Sequence, residues 1–298
     1  MLRAGFLDRD LLRRRRFSVA AVAAVVVLAL VETVNAVVAP LRAPDERDWK
    51  VASAAVRAGF RPGDLVVAAP AWADPVMRQQ LGDLVPMPVA GRMDAARYAR
   101  IWEISQRGAR AAETAGGSLA QSSKHRGLTV KLWEKKAAQV TFDFLSEWRR
   151  AELSVVSPGG DTPCAVGADR FVCMGGASLK PELLEIDTTL RNGLALDPIE
   201  RATVVLTYTA VPLGRELAVA GGLHNVWLRK ASDGKVHLRA LVDGREVGAL
   251  DGTNQGGWTL RRFDTSAWSG KTATVRFEIT VDKAQSRHFG FAAEARNP

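Results

Sequence analysis

Apolar residues run almost unbroken from Phe17 to Val31, and Glu32 is the one charged position between there and Pro40. As a helix, residues 17–39 extend roughly 34 Å at about 1.5 Å per residue, just over a hydrocarbon core of about 30 Å. The pattern predicts a membrane-spanning helix within residues 17–40. Beyond it the apolar positions take an amphipathic helical spacing, with Trp49, Val51, Ala52, Ala55 and Val56 on one face of residues 48–58 and Gly59 closing the segment. Residues 65–69 (Leu-Val-Val-Ala-Ala) are a continuous apolar run stopped by Pro70, as in a strand buried on both faces. Asp74 followed by Pro75 opens another helix, since Asp caps and Pro suits the first helical position. An edge strand over 84–89 carrying Pro86 and Pro88, a brief helix from Asp94 to Tyr98 and a strand over 100–105 continue the alternation. The segment 112–127 is polar with scattered glycine and is expected to be partly helical or a loop. Alternating helix and strand predicts a small three-layer α/β domain over 41–127 with a largely parallel sheet.

From Leu128 the spacing is that of strands. Residues 128–133, 140–144 and 151–156 read as strands, and further stretches recur about every ten residues from Leu183 to Ala295. One of these covers 225–229. Turn signals such as Asp233-Gly234, Asp243-Gly244 and Gly256-Gly257 separate them. Residues 272–281 alternate without a break: Ala273, Val275, Phe277, Ile279 and Val281 point inward, and Thr274, Arg276, Glu278 and Thr280 outward. A β-sandwich over 128–298 follows, so the fold class is α/β plus all-β behind one N-terminal transmembrane helix.

Charge orients that helix. Arg13, Arg14, Arg15 and Arg16 precede it and a mixed flank follows, so residues 1–16 are placed in the cytoplasm and the bulk in the periplasm, as a single-pass protein of a bacterial inner membrane. A cleaved signal peptide is the alternative, with small residues at Val34-Asn35-Ala36. An apolar core of 15 residues and a 16-residue leader are long for one, which favours the anchor. Of the formal charge of +9, residues 1–16 carry +4 (six Arg, two Asp), and the remaining +5 is spread out. With no stripe of Lys and Arg interleaved with aromatics, nucleic acid is not an expected partner. The two cysteines, Cys164 and Cys173, suit a disulfide in an oxidising compartment.

Candidate chemistry is sparse. The turn after the Leu65 strand, Pro70-Ala71-Trp72-Ala73-Asp74-Pro75, offers no glycine nest for a pyrophosphate, and neither a Walker loop nor a Gly-x-Ser-x-Gly elbow occurs. His125, His224, His237 and His288 are far apart, so no metal or cofactor is expected. Asp74, Asp83 and Asp94 lie where an α/β fold gathers ligands at strand ends, although caps and turns account for them as well. Glu185, Asp187, Asp264 and Glu278 cannot be paired across a glycosidic bond from sequence alone, which leaves enzymatic activity undecided, leaning against. Trp227, Trp258 and Trp268 are candidate platforms for the apolar face of a sugar ring, with Asn225, Asp264 and Arg276 as hydroxyl partners. Trp268, in a turn, is expected to be the most exposed of the three.

Two resemblances add to this. Residues 236–244 (VHLRALVDG), Gly257-Trp258, Phe263-Asp264-Thr265-Ser266 and residues 270–278 (GKTATVRFE) resemble the C-terminal strands of galactose-binding-like jelly rolls, a superfamily that includes many carbohydrate-binding modules. Arg61-Pro62-Gly63-Asp64-Leu65-Val66-Val67 resembles the Rossmann-like extracytoplasmic segment that follows the membrane core in some bacterial lipid-linked-sugar glycosyltransferases. Together they cover most of residues 46–298. Only one segment crosses the bilayer, so the transferase core is missing and its catalysis is not carried over. The combined expectation is a non-catalytic envelope protein that binds a glycan, a lipid-linked sugar or an integral membrane partner. A glycan hydrolase or transferase using carboxylates of the α/β domain, and an assembly subunit of an envelope glycosyltransferase complex, are the alternatives.

Overall fold

The computed structural model describes residues 5–41, 43–224, 233–285 and 287–298. The chain is mostly β, 45% strand and 21% helix. Helix α1 (Gly5–Leu41) contains a 19-residue stretch, Ala20–Val38, with mean hydropathy 2.4 and no part buried, long and apolar enough for a membrane anchor or a signal sequence.

Helix α2 (Glu46–Gly59) begins at a reciprocal cap. The Asp48 amide donates to Asp45 Oδ1 (2.9 Å) and the Asp45 amide to Asp48 Oδ2 (3.1 Å), which satisfies two otherwise orphaned N–H groups. Strand β1 (Leu65–Ala69), α3 (Asp74–Leu81), α4 (Met87–Ala90), β2 (Arg100–Gln106), β3 (Ser118–His125) and β4 (Leu128–Glu134) follow. They build a four-stranded sheet of order β1-β2-β4-β3, in which β1 and β2 are parallel and the other pairs antiparallel. Trp49, Ala52 and Val56 of α2 and Met77 and Leu81 of α3 bury one face of that sheet against Val66, Trp102 and Leu132.

Several expectations change here. The sheet is mixed because β4 folds back from β3 through a hairpin and inserts between β2 and β3, antiparallel to both. The edge strand expected over 84–89 is replaced by a turn and the single-turn α4, since Pro86 and Pro88 have no N–H to give a ladder. Asp94 to Tyr98 forms a bend and a turn, not a helix; Asp94 accepts the Ala96 amide (2.9 Å) but also binds Arg296. The polar 112–127 segment holds β3, whose side chains are almost all exposed and so lack an apolar period. Residues 128–133, read with the sandwich strands, are hydrogen-bonded between β2 and β3.

The remaining strands are β5 (Gln139–Asp143), β6 (Glu152–Ser157), β7 (Gly160–Pro163), β8 (Ala165–Val166), β9 (Phe171–Val172), β10 (Ser178–Ile186), β11 (Thr189–Leu196), β12 (Thr203–Pro212), β13 (Glu216–Leu223), β14 (Val236–Val242), β15 (Arg245–Gly252), β16 (Thr259–Asp264), β17 (Thr272–Val281) and β18 (Phe289–Asn297). They form an eight-stranded sheet, β16-β13-β18-β11-β10-β9-β8 with β5 also on β18, and a six-stranded sheet, β15-β14-β17-β12-β6-β7. Inward residues of both enclose one core, so the unit is sandwich-like. Strand β17 buries its odd-numbered positions as its alternation requires. Asp243 (φ 48°) and Gly244 (φ 79°) make the two-residue turn joining β14 to β15. The strand read over 225–229 lies outside the described residues.

A disulfide joins Cys164 to Cys173 and ties the β7–β9 segment to the sandwich. Replacing Cys173 by Ser is expected to lower stability by about 3 kcal/mol through the ring of about ten residues it opens, read as a lower urea midpoint without reductant. Reductant should shift the unsubstituted protein by the same amount.

The two halves meet where residues 86–98 lie on the outer face of the eight-stranded sheet. Met93 packs on Ala218, Ala220 and Ala292, the Asn192 amide N–H donates to Gly91 O (2.6 Å), and the Asn192 side chain donates to Pro88 O and Gly91 O. Charge completes the seam. Arg296, fully buried, donates to both Asp94 oxygens (3.1 and 3.0 Å) and to Glu216 Oε1 (3.0 Å). Arg97 binds Asp143 and Glu294. This leaves the outer face of the six-stranded sheet uncovered by the first half.

Candidate functional site

Strand pairing on the free sheet sets two rows of outward side chains. One runs Glu152, Thr207, Arg276, Leu241 across β6, β12, β17 and β14, and the next runs Ser154, Val205, Glu278, Arg239. Alternation puts both rows on the solvent side, opposite Leu153, Leu206 and Phe277 in the core. β7 and the disulfide-tied segment stand beside β6 and wall off one side. The result is a groove of about 560 Å³ lined by Glu152, Ser154, Asp161, Pro163, Val166, Val205, Thr207 and Arg276.

Its charges are arranged unevenly. Arg276 Nε lies 3.1 Å from Glu278 Oε1, within ion-pair distance but off the hydrogen-bond direction. The other Glu278 oxygen takes Arg239 (3.1 Å), whose guanidinium also meets Glu246 (2.7 Å). Among the described residues no protein group bonds the Arg276 Nη atoms, and neither Glu152 nor Asp161 has an ion-pair partner. Paired donors on a guanidinium, acceptors on two carboxylates and the hydroxyls of Ser154 and Thr207 match the mixed donor–acceptor edge of a polyol. Val205, Pro163 and Val166 supply the apolar floor.

Of the described glycan-contact candidates, Arg276 alone lines this groove. Trp258 lies on the outer face of the other sheet, half-buried beside Leu260, with its indole N–H on Thr189 O (3.1 Å) and the Arg191 guanidinium 5.5 Å from its ring. Trp268 lies in its turn and is half-buried. It packs on the sandwich core and its indole N–H donates to Asp243 Oδ2 (3.0 Å), pinning the β14–β15 turn. Asp264 accepts the Ser266 amide (2.9 Å), and the Ser266 hydroxyl first, with that amide, holds its carboxyl below the usual range. It borders a separate depression of about 300 Å³ with Arg215, Arg262 and Ser266. Asn225 and Trp227 lie outside the described residues. The described members of the set therefore sit on two sheets and at one end, not at one point. Asp74, Asp83 and Asp94 do not converge either: each is engaged by an arginine, Arg78, Arg57 and Arg296 respectively.

Glu152, Ser154, Asp161 and Thr207 escaped the sequence reading. Alternation in 151–156 marks Glu152 and Ser154 as outward, but nothing local says that β6 pairs with β12. A second hollow, about 260 Å³, lies in the seam between the halves and is lined by Tyr98, Arg97, Asp143, Asn192 and Glu294. Burial raises the Glu294 carboxyl pKa, against the pull of Arg97 and Arg296. Its polar groups are largely spent on holding the halves together.

No protein-family model matches the chain. No curated protein matches it either. Among solved structures, CBM51-2 with INT domains from Clostridium perfringens ZmpB, in complex with GlcNAc, is 11% identical over 61% of this chain and 40% of that one, with a TM-score of 0.32. The matched part is thus well under half of that longer protein. CBM51 from Clostridium perfringens GH95, in complex with methyl-galactose, is 12% identical over 54% of this chain and 94% of that one (TM-score 0.28). The xylan-binding module CBM15 is 9% identical over 48% and 90% (TM-score 0.27). Such values are too low to carry a functional argument.

Proposed function

We propose that this chain is a single-span, periplasm-facing envelope protein whose sandwich, a galactose-binding-like jelly roll, binds glycan without catalysing its turnover. The Rossmann-like first half connects it to the membrane. The observation that supports this most is the groove on the six-stranded sheet, where unspent donors of Arg276 face unpaired carboxylates and two hydroxyls over an apolar floor. A hydrogen bond to a charged group contributes about 1.5–3 kcal/mol net, so losing those of Arg276 should weaken binding about tenfold or more.

The test is a pull-down and titration of the full chain in detergent against peptidoglycan fragments, O-antigen and capsular polysaccharide. Arg276→Ala is expected to weaken binding to whichever glycan is retained, and Trp268→Phe, whose indole serves the β14–β15 turn, should leave it unchanged. Retention of none of these glycans would sink the reading.

A further inference from the structure

Chain direction in the four-stranded sheet decides which end of it faces the anchor. α2 and β1 run antiparallel, so the start of α2 lies beside the end of β1. Arg126 Nη1 lies 3.8 Å from Asp48 Oδ1, and Gly59, at the other end of α2, abuts Trp102 at the start of β2. The exit of β1 (Trp72), the exit of β2 (Arg107) and the β3–β4 turn (Lys124, Arg126) therefore share the end at which α1 joins. Leu41 and the Asp45 cap are four residues apart, a reach of about 14 Å at most.

We infer that this end of the first half is a lipid-contact face, with Trp72 seated at the bilayer interface and Arg47, Arg107, Lys124 and Arg126 on the headgroups of anionic phospholipids. The inference rests on α1 being an uncleaved span. Trp72 is 66% exposed, whereas Trp49, Trp102, Trp133 and Trp148 are buried. Tryptophan favours the membrane–water interface because one part of its ring system is apolar and another donates a hydrogen bond. The neighbouring acids are already engaged: Asp45 and Asp48 cap α2, Glu46 holds Lys50 (2.7 Å) and Asp74 holds Arg78 (2.5 Å). Arg47, Arg107 and Lys124 have no ion-pair partner among the described residues, so the outward charge at this end is positive. Arg107 (φ 53°) and Arg126 (φ 48°) also occupy left-handed backbone that favours glycine, each with a glycine next in the chain. Long cations at turn tips reach furthest from the sheet. Cations within a Debye length of about 8 Å at physiological salt feel an anionic surface strongly.

The test uses the full chain in nanodiscs carrying acyl-brominated lipid, with and without phosphatidylglycerol, and takes the emission difference between the unsubstituted protein and Trp72→Phe. The Trp72 signal should be quenched in the anionic discs. Arg107→Glu with Arg126→Glu should reduce that quenching about twofold or more, and Lys271→Glu, on the sandwich, should not change it. An unquenched Trp72 in discs that protect α1 from protease overturns the lipid-contact face and leaves the anchor standing. Failure of α1 to enter the discs overturns the anchor and the lipid-contact face with it. Trp72 quenching that ignores both the arginine reversals and the lipid charge overturns the headgroup assignment.

Discussion

Replacing Arg296 by methionine should destabilise the protein by about 3–5 kcal/mol, the usual cost of removing one partner from a buried ion network. The guanidinium is fully buried, and its fork satisfies both Asp94 oxygens and one of Glu216. Methionine fills much of the volume but leaves those carboxylates facing a partly desolvated seam. Arg262, at 3.6–3.7 Å from the same groups and more than half exposed, is too distant and too wet to replace it. The pH dependence carries a sign. Burial alone would raise the Asp94 carboxyl pKa, and the bond to Arg296 outweighs it, so the folded value is lowered. Stability from that source is then complete above the ordinary carboxylate pKa near 4 and is lost as pH falls through the lowered folded value. Urea melts at pH 7 should show the full gap between the two proteins, and melts below about pH 4 a smaller one. An equal gap at every pH would place the cost in packing and not in charge.

Phe277→Ala is the second large effect, about 3–5 kcal/mol for truncating a buried aromatic whose neighbours cannot collapse onto the space. Phe277 is fully buried and meets Phe144 edge to face at 5.2 Å, Tyr208 at 6.5 Å and Phe291 at 5.5 Å. The Tyr208 ring is itself held in place, because its hydroxyl donates to the Phe144 backbone carbonyl (3.0 Å). The cavity should therefore persist. Phe277→Leu, which keeps most of the volume, should cost about 1.5 kcal/mol or less in the same urea melts.

What the sequence made legible was local. The run 65–69 and its proline stop mark β1, Asp74-Pro75 marks the start of α3, strict alternation marks β17 and Asp243-Gly244 marks the β14–β15 hairpin, because each signal sits within the element it specifies. What stayed hidden depends on partners distant in the chain. β3 shows no period because it touches the fold through its ladder to β4 and little else. Asp94 reads as a cap, while its other partner, Arg296, stands 202 positions away. The groove is illegible for the same reason: Glu152 meets Arg276 only through the intervening Thr207, and that adjacency is a property of register. Trp258 and Trp268 could not be placed from sequence because an indole on a strand or turn reads alike whether its N–H serves a ligand or a neighbour such as Thr189 or Asp243.

The four-stranded sheet also sets a height. α1 joins at one end of it, and residues 86–98, which grip the sandwich, lie at the other. With residues 20–38 in a bilayer, β2, seven residues or about 23 Å long, becomes a stalk of fixed length. In the proposed anchored state, a foot this short and a neck stiffened by buried ion pairs would leave the sandwich little room to swing, and it would sample a thin layer of space parallel to the membrane. Polymers threading through that layer would meet the groove, and those lying flat on the lipid or far above it would pass it by.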